Sequence, residues 1–154
     1  MALDSPETRI GMQHELAALV ARLPAAKLAA VASEDGLLTA TDVDAEPNPV
    51  DRKSAVLASL IALARTAAKE HALEEARWLV LSCRLGVMLV RPFGRQRRRV
   101  LLLVVGESAK LATALSAAKE FALRIDAKFG RKDEPAESAE SVRASASADA
   151  ALPL

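Results

Sequence analysis

The residue types that most often carry chemistry are scarce in this chain and far apart. His14 and His71 are its two histidines and Cys83 its one cysteine. The histidines match no metal-ligand spacing and read as solvated helix residues, with His71 favourably placed near a helix C-terminus. Cys83 ends a strand-like run beside Arg84, which would lower a thiol pKa if the two were close. A nucleophilic cysteine also needs a base, and neither histidine is placed to serve as one. Cys83 therefore reads as a buried or edge thiol, with no intramolecular disulfide and no cysteine-based zinc site open to it. Glu34 and Asp35 resemble a carboxylate pair, but the following Gly36 makes a tight turn the better account. Gly36, Gly86, Gly94 and Gly106 stand alone, and no Lys-Ser or Lys-Thr follows a glycine-rich stretch, so a P-loop is absent. No cofactor and no metal is expected.

One cluster exceeds this background. From Arg77 to Gly106 there are seven arginines (77, 84, 91, 95, 97, 98 and 99) and no acid, in a chain of net charge +1. Four of them crowd one predicted hairpin tip. They can be a solvated strand end that deters edge-to-edge association. They can also be an anion-facing patch, for which arginine forks suit carboxylate or phosphate. The candidates for partner or anion contact are Arg84, Arg91, Arg95, Arg97 and Arg99. Nucleic acid is the least favoured target: aromatics are 3% of the chain, and only Phe93 interleaves the tip.

These side chains need a scaffold, and the apolar pattern supplies one. Hydrophobic residues make up 51% of 154, enough for one domain with a core. Ser5-Pro6-Glu7 starts a helix, and Met12, Leu16, Leu19, Val20 and Leu23 form its apolar face. Gly11 is a poor interior residue, so the firm part is expected to begin there. Residues 27–32 and 37–43 form a hairpin about the turn Ser33-Glu34-Asp35-Gly36. Residues 44–50, with Pro47 and Pro49, read as a loop, and Asn48 or Asp51 could cap the next helix. Residues 78–83, 87–90 and 100–105 are strands joined too tightly for parallel crossovers. Residues 100–105 are apolar throughout, which implies cover on both faces. Glu107-Ser108 caps a last helix with Leu111, Leu115, Ala118, Ala122, Ile125 and Phe129 on one face, and Gly130 suits the position past its end.

The expected fold is an α/β sandwich around a five-stranded antiparallel sheet, in the order helix, strand, strand, helix, strand, strand, strand, helix. It spans residues 1–130. Residues 131–154, rich in Ala, Ser and Glu, read as a disordered tail. The longest apolar run is six residues, too short for a membrane span, and the polar N-terminus with Asp4 and Glu7 reads as no targeting signal. The cytoplasm is the expected location. The middle helix carries a stripe (Val56, Leu57, Leu60, Ile61, Leu63, Ala64, Ala67, Ala68) wider than one partner surface needs. Self-association is the favoured explanation.

Order, lengths and local motifs together resemble the Roadblock family, over roughly residues 15–125. The most telling stretch is residues 23–38, Leu-Pro-Ala-Ala-Lys-Leu-Ala-Ala-Val-Ala-Ser-Glu-Asp-Gly-Leu-Leu, followed by an Ala-rich helix at 52–68. The arginine-rich tip, Pro47 and Pro49, and Ala112 and Ala114 in place of a glycine depart from the pattern. The resemblance implies the middle helix on one sheet face and the other two helices on the opposite face. It implies a homodimer through the middle helix (Val56, Leu60, Leu63, Ala67) and the strand after it (Trp78, Val80). It also implies a protein that is not an enzyme but a scaffold, or a regulator of a small Ras-like GTPase. Arg95 or Arg97 as an inserted arginine finger is the less favoured mechanism. A pure assembly adaptor is the rival reading. A small-ligand sensor ranks below both, because Ala-rich packing leaves little room for a pocket.

Overall fold

Helix α1 (Pro6–Arg22) begins as its sequence directs. The Ser5 hydroxyl accepts a hydrogen bond from the Thr8 amide (3.2 Å), and Pro6 opens the first turn. The computed structural model describes residues 5–42 and 47–130. The proposed tail, Val43 at the end of the proposed second strand and residues 44–46 of the proposed loop lie outside them. Strands β1 (Ala26–Ser33) and β2 (Leu38–Thr41) precede α2 (Pro47–Glu70). Then come β3 (Leu79–Cys83), β4 (Gly86–Phe93), a single 3-10 turn (Arg95–Arg97), β5 (Arg99–Gly106) and α3 (Leu111–Phe129). The strands form one antiparallel sheet in the order β2-β1-β5-β4-β3. The expected element order is the observed one.

β5 lies at the centre, and its unbroken apolar run serves two cores. Leu101, Leu103 and Val105 face α1 and α3, meeting Met12, Leu16, Leu19, Phe121 and Ile125. Val100 and Leu102 face α2, meeting Leu57 and Ile61. α1 and α3 therefore share one face of the sheet, and α2 covers the other. The α3 stripe is shifted from expectation: Ala114 and Phe121 join the core, while Leu111 is exposed. Phe121 meets Phe93 of β4 edge-on, ring centroids 6.2 Å apart.

Four boundaries differ from the sequence reading. α2 starts at Pro47, so half of the expected loop is helix; prolines are tolerated in a first turn, where their missing N–H would have no partner. β4 runs through Pro92 and Phe93 because β3 pairs no further than Val90, leaving Pro92 no ladder to break on that side. Glu107 and Ser108 do not cap α3. They sit in a turn closed by the Ala109 amide on the Gly106 carbonyl (3.1 Å), and Lys110 is the cap residue, without a side-chain bond. Gly130 follows α3 in right-handed geometry (φ −67°), so it does not use the left-handed freedom expected of it.

Two glycines are required by close approach. α1 is continuous through Gly11, because a Cβ there would sit 2.6 Å from the Phe129 ring; an absent side chain lets α3 pack on α1. Gly36 has φ +88°, and a Cβ would meet Ala58 and the Ser54 carbonyl at 2.9 Å. The β1–β2 turn thus lies directly under α2.

Glu15 ties α1 to α3. It is buried, and its carboxylate pairs with Lys128 and with Arg124 (3.2 Å). The Lys128 bond first of all, then Arg124, hold its pKa below the usual glutamate value against the opposing effect of burial. A lowered folded pKa stabilises the fold above the unfolded value and loses that stabilisation as pH falls through the folded one. Both cations are substantially exposed, which limits the pair to about 1 kcal/mol. Glu15→Gln is expected to lose that amount at neutral pH. In urea melts from pH 7 downward, the gap to the parent should close as pH drops below about 4.3. A gap that stays constant into acid would contradict the pairing.

Candidate functional site

The α2 face of the sheet is only partly covered. Leu57, Ile61 and Ala68 are buried and Leu60 and Ala64 half-buried, while Val56 and Leu63 are 55% and 66% exposed and Ala67 is also exposed. Beside the N-terminal half of the helix lies an open groove of about 520 Å³. Its floor is Leu28, Met88, Leu102 and Val104, its wall Val56 and Leu60, and its rim Lys27, Arg52 and Lys53. The expectation that Ala-rich packing leaves little room for a pocket does not hold on this face. Small side chains bring α2 down at the Gly36 turn, and the other half of the sheet is left open.

Among the described residues β3 is an edge strand bonded only to β4, so one row of its backbone donors and acceptors has no ladder partner among them. Its residues alternate. Leu79 packs with the α2-side cluster, and Leu81, opposite Met88, shares that side. Val80 is 40% exposed on the other side, and Trp78 packs against the α1–α3 cluster. Of the six predicted interface residues, Val56, Leu60, Leu63 and Ala67 are gathered on α2, while Trp78 and Val80 face away from that helix. Leu79, Leu81, Met88 and Val104 are the residues that sequence reasoning missed. Strand runs apolar at every position conceal which side chains face which way.

The hairpin geometry also disperses the predicted arginine patch. Arg84 sits in the β3–β4 turn at the start of β4, whereas Arg95, Arg97 and Arg99 lie at and beyond its end, roughly 25 Å away at about 3.3 Å per strand residue. Arg91 lies between, its guanidinium 4.5 Å from the centroid of the Trp78 ring. Burial, then the charges of Arg97 and Arg77, lower its pKa, though a guanidinium stays charged. Its Nε is buried without a hydrogen-bond partner.

At the tip the arginines diverge again. Arg97 turns toward the α2–β3 connection, with Nε 2.5 Å from the Glu75 carboxylate. Its carbonyl accepts from Arg65 (3.2 Å), which also pairs with Glu34 (3.3 Å). This ties α2, the β1–β2 turn and the tip together. Arg95, Arg98 and Arg99 line a separate cleft of about 300 Å³ with Gly94, Gln96, Asp126 and Gly130. Gly94, Gln96 and Arg97 have positive φ (81°, 54° and 54°), a folded-back path that brings Arg95 and Arg98 to the mouth of the cleft. Asp126 is held above its usual pKa by burial, which the Arg99 charge, the Gly94 N–H and the Arg91 charge oppose. Arg95 and Arg99 thus share one site, Arg98, expected at the tip but not among the contact candidates, joins them, and Arg84, Arg91 and Arg97 each lie elsewhere. Cys83 is an exposed thiol at the end of β3, and both histidines are exposed. No gathered set of metal-ligating side chains occurs among the described residues, and no described helix is long and apolar enough to cross a membrane.

A five-stranded antiparallel sheet with two helices behind it, one in front and an open edge strand defines an α/β domain built around an unfinished surface. Residues 12–106 match the pattern of the Roadblock/LC7 domain, and the chain belongs to that family. No curated protein sequence matches it. Among solved structures, the Roadblock/LC7 domain from Streptomyces avermitilis is similar at 21% identity, over 73% of this chain and 92% of that one (TM-score 0.68). Myxococcus xanthus MglB is similar at 14% identity, over 86% and 97% (TM-score 0.75). The gliding protein MglB from Thermus thermophilus is similar at 18% identity, over 80% and 92% (TM-score 0.67). At these identities the likeness concerns the fold.

Proposed function

We propose that this chain is a cytoplasmic, non-enzymatic homodimer that binds a small Ras-like GTPase and modulates its nucleotide cycle. Residues 1–130 form the working domain and 131–154 an appended tail. The observation that carries the reading is the juxtaposition of the apolar groove, the exposed Val56–Leu63 stripe and the open β3 edge on one side of the molecule. A second copy has all three features. Pairing β3 with its counterpart would extend the sheet across the two-fold and bring the second α2 over the open half of the sheet. Support also comes from family membership and from a similar MglB structure described as having a tetrameric arrangement. The GTPase would then meet the outer surface of the pair, and contact with its switch segments would shift their populations.

The test is GTP hydrolysis and nucleotide release by small Ras-like GTPases of the source organism, with and without the purified chain. A changed rate for one GTPase is the expected result. Binding without any change in rate would replace this reading with the adaptor, and absence of binding to every such GTPase would overturn both. Arg95→Ala and Arg97→Ala are each expected to retain the effect within about threefold, because Arg97 is engaged with Glu75. Loss of an inserted finger would instead cost about 10³-fold or more.

A further inference from the structure

Trp78 is the one tryptophan of the chain, and it lies half-buried at the margin of the α1–α3 core. The β3–β4 register, which pairs Leu79 with Val90, places Arg91 beside it on the neighbouring strand, and the guanidinium lies 4.5 Å from the indole centroid. The same side of β3 continues with Val80 and Ser82, both exposed, because α3 lies over β4 and β5 rather than β3. Arg91 is held in place but unpaired. Its Nε is buried without a hydrogen-bond partner, and among the described residues no carboxylate forms an ion pair with it. We propose that the Trp78–Arg91 pair and the strip of β3 beside it bind an extended segment of a partner protein, one in which a carboxylate and an apolar side chain stand two residues apart.

The charge of the site comes from arginine. Arg77, exposed one residue before Trp78, adds its charge to the field at Arg91. Asp126 of α3 is near enough for its own charge to act there, but it lines the tip cleft and makes no ion pair with Arg91. A guanidinium drawn partly out of water without a carboxylate is the costly half of an ion pair. A ligand carboxylate supplies the other half through charge-assisted hydrogen bonds. The geometry is set in advance, because the indole holds one face of the guanidinium and the fork loses little freedom on binding. Trp and Arg are also among the residue types most enriched where binding energy concentrates. The spacing is that of a strand. Trp78, Val80 and Ser82 recur about every 6.6 Å, the repeat of alternate residues in an extended chain. An acid over Trp78 and Arg91 therefore puts the second residue along over Val80, and that apolar neighbour favours a peptide over a free phosphate. All of these groups belong to one chain, so the inference rests neither on pairing between copies nor on a GTPase partner.

The experiment uses the full chain and two end-blocked peptides, Gly-Leu-Ser-Glu-Ser-Leu-Gly and its counterpart with Gln in place of Glu. Each is titrated to about 10 mM into isotopically labelled protein, a range that reads millimolar affinity. NMR follows the Trp78 indole N–H and the amides of Val80 and Arg91. The acidic peptide is expected to shift these signals saturably. The Gln peptide should bind at least about tenfold more weakly, because its bond to the guanidinium is no longer between two charges. This comparison is made on the parent and needs no variant to fold. Arg91→Gln should weaken the acidic peptide by about the same factor, and Arg91→Lys, which keeps the charge but not the fork or the stack, should recover only part of the loss. Light scattering should give both variants the mass of the parent. Signals that do not move with the acidic peptide would overturn the proposal, as would equal affinity of the parent for the two peptides. A change of mass in Arg91→Gln would overturn it too, by assigning this side of β3 to a contact between copies.

Discussion

Val56→Glu combined with Leu63→Glu is expected to leave the fold intact and to reduce the particle from two chains to one. The two positions are seven residues apart, on the same face of α2, and are 55% and 66% exposed in the single chain. Neither belongs to the buried clusters on either side of the sheet, so charge there adds little strain to the protomer. In a two-fold pair the same residues would be buried twice over. A fully buried Val or Leu contributes about 1.5–3 kcal/mol, and the glutamates would additionally have to be desolvated. The dimer dissociation constant should therefore rise by about 10³-fold or more. Light scattering across a micromolar concentration series reads the mass, and thermal melts check the fold. Leu123→Glu is the control: its side chain is similarly exposed (59%) but lies on α3, behind the sheet, and its mass should remain that of the parent. A parent that runs as one chain at every concentration would sink the pairing, as would a double variant that still runs as two.

How much of this was legible in the sequence depends on the range of the interaction that decides each feature. Features set within a few residues were readable. Ser5 and Pro6 start α1, Gly36 closes the first hairpin, and the short links between the last three strands force antiparallel order. Features set by residues distant in sequence were not. Gly11 looks like a helix defect until Phe129 is seen against it. Pro47 and Pro49 look like loop residues because the same residue type both opens helices and fills turns. The arginines show the opposite error. Closeness along the chain suggested one patch, but a strand carries residues apart at full extension, so Arg84 and Arg95 end at opposite ends of β4 while Arg98 and Gly130, distant in sequence, share a cleft. The wide α2 stripe was the most informative signal for the site. Its excess width was visible before the structure showed which half stays uncovered, whereas the matching sheet residues Met88 and Val104 were hidden in runs without alternation.

Two adjacent leucines of β5 separate the stability of the domain from its association. Leu103 is fully buried against α1 and α3, whereas Leu102, next to it, faces α2 and lines the open groove. Leu103→Ala removes atoms that are enclosed in the single chain and leaves a cavity among rigid neighbours. It should cost about 3–4 kcal/mol, a fall in melting temperature of the order of 10–15 °C for a domain this size, with the same deficit at every protein concentration. Leu102→Ala enlarges a space already open on one side, so in the dilute single chain it should cost about 2 kcal/mol, the low end for a buried leucine. Association through the groove would stabilise the folded state by mass action, so the parent should gain stability as concentration rises, and Leu102→Ala should gain less because its groove would be the surface covered. Its deficit should therefore widen with concentration, while that of Leu103→Ala stays flat. Melts of both variants over a dilution series of about a hundredfold distinguish the cases. Parallel behaviour would mean that the groove beside α2 is not where a second copy binds, because only an occupant of that groove makes the two faces of a single strand respond differently to dilution.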